Sequence, residues 1–382
     1  MRITIVTETY FPQVNGVSRT LGELVRHLID SGDEVQLIHP DYGESIDGHE
    51  RSHAVRSVML PFYKELYLPL PPFVGVRRAI DAFRPDIVHI ATEATLGLSV
   101  LRFAVKRRLA IVSSFHTNFD QYSRHYRVGW LRSVIWQYLR WFHNRTRETY
   151  VPSRATIRQL EVLGFERVVL WKRGVDAEMF RPDRPGRDEV RRALGWTPED
   201  VVIAHVSRIA PEKNVDDLAD ALAIVAARRP EVRILMVGDG PSRGSVERRL
   251  GPSARFVGYK KGQELADHYA AADLFAFASR TETFGNVVLE AMASSLPVVA
   301  VRAGGVGETV LLGETGSLVE PSDPPDRLAR ELIRLVDQPG ERKRMAAAAR
   351  KYAESQSWSS IMGGLRERYL AIIAEAGASN RS

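Results

Sequence analysis

Short apolar segments alternate with longer amphipathic segments along almost the whole chain. This alternation is typical of βαβ units, which build parallel sheets covered by helices. In the first half it predicts strands at Ile3–Thr7, Glu34–Ile38, Asp86–Ile90, Ile111–Phe115 and Thr149–Val151. In the second half it predicts strands at Val201–Val206, Arg233–Val237, Arg255–Val257, Leu274–Ala276 and Val298–Ala300. We therefore expect an α/β protein of two doubly wound, Rossmann-like domains.

A change of composition separates the two series of strands. Two prolines and a glycine stand among charged residues in the segment Phe180–Gly186, which predicts a linker. The domains are accordingly predicted as 1–180 and 181–357, followed by a segment 358–382 whose first part, Trp358–Ala374, has a helical period. Ligands of doubly wound sheets bind beyond the carboxyl ends of the strands, so we expect the site in the cleft between the domains.

Composition narrows the class of protein. A chain of 382 residues is too long for one ordinary core, and 44% hydrophobic with 26% charged residues is typical of a soluble globular protein. The absence of cysteine excludes disulfides and zinc–thiolate sites and agrees with a reducing compartment. The first strand reaches charge too early for a signal peptide, and no apolar run is long enough for a membrane helix. The net charge of +6 suits nucleic acid, anionic lipid or nucleotide phosphates.

Two cations follow the first strand of the second half. Arg208 and Lys213 come directly after Val201–Val206, at a strand's carboxyl end, where a guanidinium and an ammonium can neutralise a diphosphate. The alternative is a pair of solvated loop charges. The sequence has no Asp-x-Asp and no zinc-like spacing, so we expect the cations to act in place of a metal ion.

Two glutamates, Glu282 and Glu290, stand with seven residues between them after the strand Leu274–Ala276. Gly285 precedes a predicted helix, Asn286–Ala293, whose first N–H groups are free to bind a phosphate. A carboxylate at the end of the first helical turn can accept hydrogen bonds from both ribose hydroxyls. The alternative is that both glutamates are exposed.

Two further candidates lie in the first half. Gly16 begins a helix predicted at Val17–Ser31 and lets backbone N–H groups approach an anion, although a simple strand-to-helix turn has the same pattern. His116 follows the strand Ile111–Phe115, where an imidazole can hydrogen-bond a sugar hydroxyl; a packed structural histidine is the alternative.

The Arg/Lys pair and the Glu-x7-Glu motif resemble the retaining glycosyltransferases of family 4, which have the two-domain GT-B fold. Phe115–Asn118 and the Arg-Gly-Val-Asp motif at Arg173–Asp176 are most similar to a branch that forms glycolipids. That branch contains bacterial GDP-mannose-dependent α-mannosyltransferases, glycosyldiacylglycerol synthases and sulfoquinovosyltransferases. The resemblance implies that segment 358–382 crosses back to the first domain. One departure is Ser295, where relatives usually carry glycine.

The resemblance also implies a role for each candidate residue. Arg208 and Lys213 would hold the donor diphosphate, Glu290 the ribose, and Glu282 would lie near the donor sugar. The backbone of Phe284 and Gly285 would contact sugar and phosphate. We expect catalytic roles for His116, Arg208, Lys213 and Glu282, and donor contacts from Gly16, Arg208, Lys213, Glu282, Phe284, Gly285 and Glu290.

The implied reaction moves a hexosyl group from a nucleotide sugar to a hydroxyl, with retention and without a metal or other cofactor. GDP-mannose is slightly favoured over a UDP-hexose as donor, and a membrane glycolipid or diacylglycerol is the expected acceptor. Nucleic acid is not an expected partner. The alternatives are a soluble or polysaccharide acceptor, another GT-B activity such as a phosphorylase or epimerase, and a non-catalytic nucleotide-sugar-binding protein.

A basic, aromatic segment bears on where the protein is located in the cell. Tyr122–Arg147 contains no acidic residue and carries three of the six tryptophans, together with Arg124, Arg127, Arg132, Arg140, Arg145 and Arg147. Its apolar positions recur at helical spacing: Leu131, Val134, Ile135, Tyr138 and Phe142. The helix either contacts an anionic membrane or packs its apolar face on the first sheet, and both hold if the tryptophans point outward; Phe62–Leu70 is a candidate for a second membrane contact. The first interpretation predicts a cytoplasmic protein held peripherally at the inner face of the cell membrane.

Overall fold

The computed structural model describes residues 1–13, 15–43, 51–60, 63–116 and 129–379, without the side chains of 60, 63–66, 129–132 and 379. The chain divides into two compact units. The first contains Met1–Lys172 and Ser359–Ser382, and the second contains Arg173–Trp358. The change of unit thus falls between Lys172 and Arg173, ahead of the proline–glycine segment.

The first unit contains a seven-stranded parallel sheet in the order β3-β2-β1-β6-β7-β8-β9. Its strands are β1 (Arg2–Val6), β2 (Glu34–Pro40), β3 (Ser52–Val55), β6 (Ile87–Ile90), β7 (Ala110–Ser114), β8 (Thr149–Val151) and β9 (Val168–Leu170). An antiparallel hairpin, β4 (Ser57–Leu60) and β5 (Tyr63–Pro69), lies between β3 and the next helix. The central strand β1 is buried from Ile3 to Val6, as expected of a parallel sheet covered on both faces.

The helices of this unit connect successive parallel strands. They are α1 (Gly16–Asp30), α2 (Val74–Phe83), α3 (Thr95–Lys106), α4 (Gly129–His143) and α5 (Arg154–Val162). Helix α1 begins with a capping box, since the Asn15 side chain accepts from Ser18 N at 2.9 Å and Ser18 Oγ accepts from Asn15 N at 3.1 Å.

The second unit contains a six-stranded parallel sheet in the order β12-β11-β10-β13-β14-β15. The strands are β10 (Val202–Val206), β11 (Arg233–Val237), β12 (Ala254–Phe256), β13 (Leu274–Phe277), β14 (Val298–Val301) and β15 (Gly316–Val319). Its helices are α6 (Gly186–Ala193), α7 (Val215–Arg228), α8 (Arg243–Leu250), α9 (Gly262–Ala270), α10 (Asn286–Ala293), α11 (Val306–Thr309), α12 (Pro325–Asp337) and α13 (Pro339–Glu354).

The strand order places a topological switch point between β10 and β13. The chain proceeds from β10 outward to β11 and β12, and then returns to the other side of β10 to form β13. The loops that follow the two central strands therefore begin side by side at the carboxyl edge of the sheet, and ligands of open α/β sheets bind at such a switch point.

The segment Phe180–Gly186 packs within the second unit. Phe180 is buried, and Arg184 Nε lies 2.5 Å from Asp267 Oδ1. Arg350 Nη1 also donates to the carbonyl oxygens of Phe180 and Ala293, each at 2.7 Å.

The last helix, α14 (Trp358–Ser379), returns to the first unit from Ser359 onward. Its Arg366 pairs with Asp33 (Nε to Oδ2, 2.6 Å), and its buried Tyr369 hydroxyl lies 2.6 Å from His89 Nδ1. These long-range contacts fix the last helix of the chain against elements of the first hundred residues.

Candidate active site

The two predicted cations lie in the loop that leaves β10. A 3₁₀ turn at Pro211–Lys213 follows Ala210, which is extended, and Asn214 ends the turn with a left-handed backbone (φ 54°) before α7. Proline suits the first position of such a turn because its φ is already fixed. The Asn214 amide donates to Asp217 Oδ2 at 2.9 Å and to the Ala278 carbonyl at 3.3 Å, which ties this loop to the end of β13.

Lys213 and Glu282 meet at the switch point. Lys213 Nζ lies 2.6 Å from Glu282 Oε1, and the side chains are only 25% and 17% exposed. A second contact joins the same two loops, since the Thr281 hydroxyl donates to the Glu212 carbonyl at 2.9 Å. An ammonium has three N–H donors, so one bond to Glu282 leaves others able to bind an anion.

Arg208 lies in the same loop but nearer the solvent. Its side chain is 59% exposed and pairs with Glu212, four residues later. A surface pair of this kind contributes about 0–1 kcal/mol to stability, so it restrains the guanidinium only weakly. The five N–H donors of the group exceed what one carboxylate accepts, which leaves capacity for phosphate oxygens.

A glycine from a neighbouring loop lies against each of the two candidate loops. A Cβ on Gly238, after β11, would stand 1.9 Å from the Ser207 carbonyl oxygen, and a Cβ on Gly304, after β14, would stand 2.0 Å from that of Glu282. Both have positive φ (129° and 49°). No side chain fits at these distances, so the two glycines allow the loops that carry the cations and Glu282 to be held by backbone contact.

Helix α10 positions the second glutamate. Gly285, at φ 88°, is the N-cap residue, and Glu290 lies on the second turn. Glu290 is only 3% exposed and accepts a hydrogen bond from the Tyr269 hydroxyl at 3.1 Å. Phe284 is buried in the core of the unit. The structure therefore contradicts the alternative of two exposed glutamates.

A buried histidine that the sequence analysis did not single out supports the cation loop. His205 Nδ1 lies 3.0 Å from the Ala276 carbonyl oxygen, and Nε2 lies 2.8 Å from Ser207 Oγ. A carbonyl only accepts, so Nδ1 carries the proton, and Nε2 lies beside the Ser207 hydroxyl, which also lies 2.9 Å from the Arg208 carbonyl oxygen. Burial lowers the pKa of His205 to about 4, which keeps the ring neutral. The sequence signal for this residue was a histidine within an apolar strand, two residues before Ser207.

Gly16 and His116 belong to the first unit, and the six other predicted residues belong to the second. His116 follows β7 and its ring lies 5.9 Å from that of Trp171, measured between ring centres. The rest of its motif, residues 117 and 118, lies outside the described ranges. Gly16 begins α1, as predicted.

Two carboxyl groups missed by the sequence analysis lie at the same edge as His116. Glu8 follows β1 and accepts from the backbone N–H groups of Leu96 (2.8 Å) and Ala94 (3.0 Å), so it caps α3. Burial and the neighbouring Glu8 raise the pKa of Glu93 to about 8. In both cases the sequence signal was a glutamate two or three positions after an apolar strand.

Ser295 has φ 60°, the left-handed conformation that favours glycine. Glycine would adopt this conformation without strain. The turn that contains it follows α10 and does not include any predicted site residue.

The described part of α4 packs on the sheet. Leu139 and Phe142 are buried, and Trp136 stacks on Phe115 with ring centres 6.2 Å apart. Val134 is 56% exposed, so it does not belong to the packed face. The packing alternative is therefore observed. Arg124 and Arg127 lie outside the described residues, as do the side chains of Trp130, Leu131 and Arg132.

The second basic-aromatic stretch forms part of the hairpin. Phe62 lies outside the described residues, and the chain from Tyr63 to Pro69 is strand β5. Tyr67 packs edge-on against Tyr42 with ring centres 4.9 Å apart. The described part of this stretch is thus one strand of the hairpin.

Among the described residues, no group of three or more His, Asp or Glu side chains is placed to hold a metal ion. The helices in those ranges include none with both the length and the apolar character needed to cross a membrane.

Comparison with known proteins gives the class that this fold and site define. The family model described as Glycosyltransferase Family 4 matches residues 14–179, and the model described as Glycosyl transferases group 1 matches residues 186–352. The chain belongs to glycosyltransferase family 4 and has the GT-B fold of two Rossmann-like domains.

Individual relatives agree with the predicted branch. The chain is 36% identical to a GDP-mannose-dependent alpha-mannosyltransferase of Mycobacterium tuberculosis, over 97% of each protein. It is 29% identical to an alpha-monoglucosyldiacylglycerol synthase of Streptococcus pneumoniae, over 78% of this chain and 71% of that protein. The crystal structure of Anabaena HepE in complex with UDP superposes with a TM-score of 0.79 at 21% identity, covering 97% of this chain and all of that one.

Proposed function

We propose that the protein is a retaining glycosyltransferase that moves mannose from GDP-mannose to a hydroxyl group of a membrane glycolipid or diacylglycerol. The observation that carries the proposal is the half-buried ion pair of Lys213 and Glu282 at the switch point of the second sheet. It brings a cation and a carboxylate from two strands to the edge where ligands of this fold bind.

In this proposal Lys213 and Arg208 bind the diphosphate of the donor. Negative charge grows on the diphosphate as the glycosidic bond breaks, so cations fixed beside it stabilise the transition state more than the bound substrate. Because the loops are held by backbone contacts at Gly238 and Gly304 and Lys213 is paired with Glu282, the Lys213 ammonium needs little reorganisation during the reaction.

Glu290 binds the ribose hydroxyls of the donor. Its carboxylate is buried and already accepts from Tyr269, so its direction is fixed before a ligand arrives. Gly285 and the first N–H groups of α10 bind phosphate oxygens, and Phe284 lines the donor site beside them.

Glu282 and His116 act on the transferred sugar. Glu282 accepts hydrogen bonds from sugar hydroxyls, His116 is assigned a contact to the same sugar, and Gly16 is assigned a contact to the donor. The acceptor oxygen attacks from the side the diphosphate leaves, and the departing diphosphate takes the acceptor's proton. This displacement retains the anomeric configuration without a covalent intermediate. The protein supplies positioning and electrostatic stabilisation, and no metal ion is needed.

The relatives support the choice of substrates. The donor follows the name of the mycobacterial relative, which aligns over nearly the full chain, and the lipid acceptor follows that of the pneumococcal one. The proposed location is the inner face of the cell membrane, where such acceptors are exposed to a cytoplasmic enzyme. A UDP-hexose donor or a soluble acceptor is the second candidate.

A panel of nucleotide sugars tests the donor, with thermal stability as readout. A ligand at 100 times its dissociation constant stabilises a protein by about 2.7 kcal/mol. We expect GDP-mannose to raise the melting temperature more than UDP-glucose or UDP-galactose. Incubation with GDP-mannose and a diacylglycerol or glycolipid extract should release GDP and yield a lipid heavier by one hexosyl group by mass spectrometry, with the α configuration shown by NMR of the anomeric position. Stabilisation without release of nucleotide under any acceptor would favour a non-catalytic binding protein.

A further inference from the structure

A basic pocket of about 230 Å³ lies in the first unit, and none of the candidate site residues lines it. It is lined by Val105, Arg108, Leu109, Ile111, Arg145 and Arg147. Arg108 and Leu109 directly precede β7, and Arg145 and Arg147 precede β8. The pocket therefore lies at the amino end of these strands, whereas His116 follows the carboxyl end of β7.

The positive charge of this pocket is not compensated within the described ranges. Among the residues that the structure describes, no acidic side chain lines it, and Arg108 and Arg147 make no ion pair. The nearby Glu148 is engaged by Arg368 (Nε to Oε2, 2.8 Å), and Asp81 is engaged by Arg107 (2.6 Å). Of the described residues, three arginines and no carboxylate line this concavity, so its electrostatic potential favours an anion.

The arginines of the pocket are held in different ways. Arg145 is fixed, because its guanidinium lies 4.1 Å from the centre of the Trp141 ring and donates to the Trp141 carbonyl at 2.9 Å. Arg108 has φ 55° at the end of α3, a position where glycine is usual.

The apolar wall and the size of the pocket limit the chemical class of ligand that it can bind. Val105 is 47% exposed on the last turn of α3, and Leu109 and Ile111 complete the wall. The volume is below the roughly 300–1,000 Å³ of sites that enclose a whole small molecule. A phosphate with a few attached methylene groups fits this combination, because guanidinium groups bind phosphate oxygens in pairs while the wall covers the carbons.

We propose that this pocket binds the phosphate of an anionic phospholipid headgroup and so anchors the first domain to the membrane. The inference rests on the proposed membrane acceptor and gives the attachment a defined site. It also replaces the apolar face of α4 as the anchoring element, since the described part of that face is used in packing.

Charge reversal at Arg108 and Arg147 tests the proposal, with Arg145 left in place because it packs on Trp141. The matched control is Arg78→Glu with Arg84→Glu, which has the same change in net charge. Both control arginines are exposed and outside the pocket, and Arg84 shares the left-handed backbone of Arg108 (φ 52°). The probes are phosphatidylglycerol vesicles, phosphatidylcholine vesicles and inorganic phosphate.

The wild type and the Arg78/Arg84 variant should sediment with phosphatidylglycerol vesicles and not with phosphatidylcholine vesicles. The Arg108/Arg147 variant should lose at least roughly 30-fold in partition, since each of the two lost cations contributes about fivefold at an anionic surface and the two new carboxylates are repelled by it. Equal sedimentation of the two variants would overturn the pocket as the anchor. Stabilisation of the wild type by inorganic phosphate without any sedimentation would show a site for free anions and overturn the lipid assignment.

A separate readout keeps the two proposals distinguishable. The thermal shift with GDP-mannose should be the same in the wild type and both variants. Its absence in the wild type would count against the proposed donor and would leave the vesicle result to decide on the pocket.

Discussion

The Nζ atom of Lys213 lies 2.6 Å from Oε1 of Glu282, although 69 residues separate them in the chain. The contact exists because β10 and β13 are neighbours in the sheet, so the loops that follow them meet at one edge. In a family 4 glycosyltransferase, this pair joins the group proposed to hold the diphosphate to the group proposed to face the sugar. Its disruption should therefore affect turnover more than folding.

Lys213→Ala should lower turnover by about 100- to 1,000-fold, the usual cost of removing one charge-stabilising group from a closed site. Arg208→Ala should act in the same direction. Far-UV circular dichroism should show an unchanged fold, and Lys351→Ala, on an exposed helix position, is the control. If both site variants kept more than half of wild-type turnover, the assigned roles would be wrong.

Glu290→Ala should mainly weaken donor binding, because ribose contacts are made in the ground state and the transition state alike. We expect a raised KM for the donor with a smaller change in kcat, measured by initial rates and by calorimetric titration of GDP. Tyr269→Phe removes one hydrogen bond to the carboxylate and should give a weaker effect in the same direction. An unchanged donor affinity in Glu290→Ala would exclude the ribose role.

Gly304→Ala should disturb the loop that carries Glu282, since the new Cβ would stand 2.0 Å from the Glu282 carbonyl oxygen. Gly313→Ala is a matched control, because Gly313 also has positive φ (75°), but a Cβ there would meet no described atom within 4 Å. Both variants carry the backbone strain, and only the first carries the clash. We expect donor affinity to fall in Gly304→Ala and to stay near the wild-type value in Gly313→Ala.

The buried histidines should make the protein less stable in acid. Burial lowers the pKa of His205 to about 4, and the pKa values of His89 and His143 to about 3, from an ordinary value of 6.5. The unfolded chain then binds more protons than the folded one below pH 6.5, so stability falls as the pH drops toward 4. His205→Asn retains a donor for the Ala276 carbonyl and should flatten this dependence. Melting temperatures between pH 7 and pH 5 give the comparison, and identical slopes would refute the attribution.

Activity should survive removal of divalent metal. Arg208 and Lys213 are proposed to neutralise the diphosphate, so EDTA should leave the rate of GDP release nearly unchanged. Complete inhibition that Mg²⁺ reverses would show that a metal ion takes part.

The alternation of apolar and amphipathic segments was enough to predict the two α/β domains and α10 from Asn286 to Ala293, because strand and helix periods are local properties. The strands it missed are short or edge elements. Strand β15 begins with Gly316, where a Cβ would stand 2.0 Å from the Val298 carbonyl oxygen, and nothing in Gly-Ser-Leu-Val marks that close pairing.

The sequence was enough to identify the candidate site residues Arg208, Lys213, Glu282 and Glu290. It was also enough to identify the family that they resemble. Only the tertiary structure decided that Lys213 pairs with Glu282, that Glu290 is buried against Tyr269, and that Gly304 lies under the Glu282 carbonyl. It also decided that the described apolar face of α4 packs inward. The physical reason is the same in each case: periodicity depends on neighbours along the chain, whereas these contacts depend on which strands lie side by side and which loops their ends bring together.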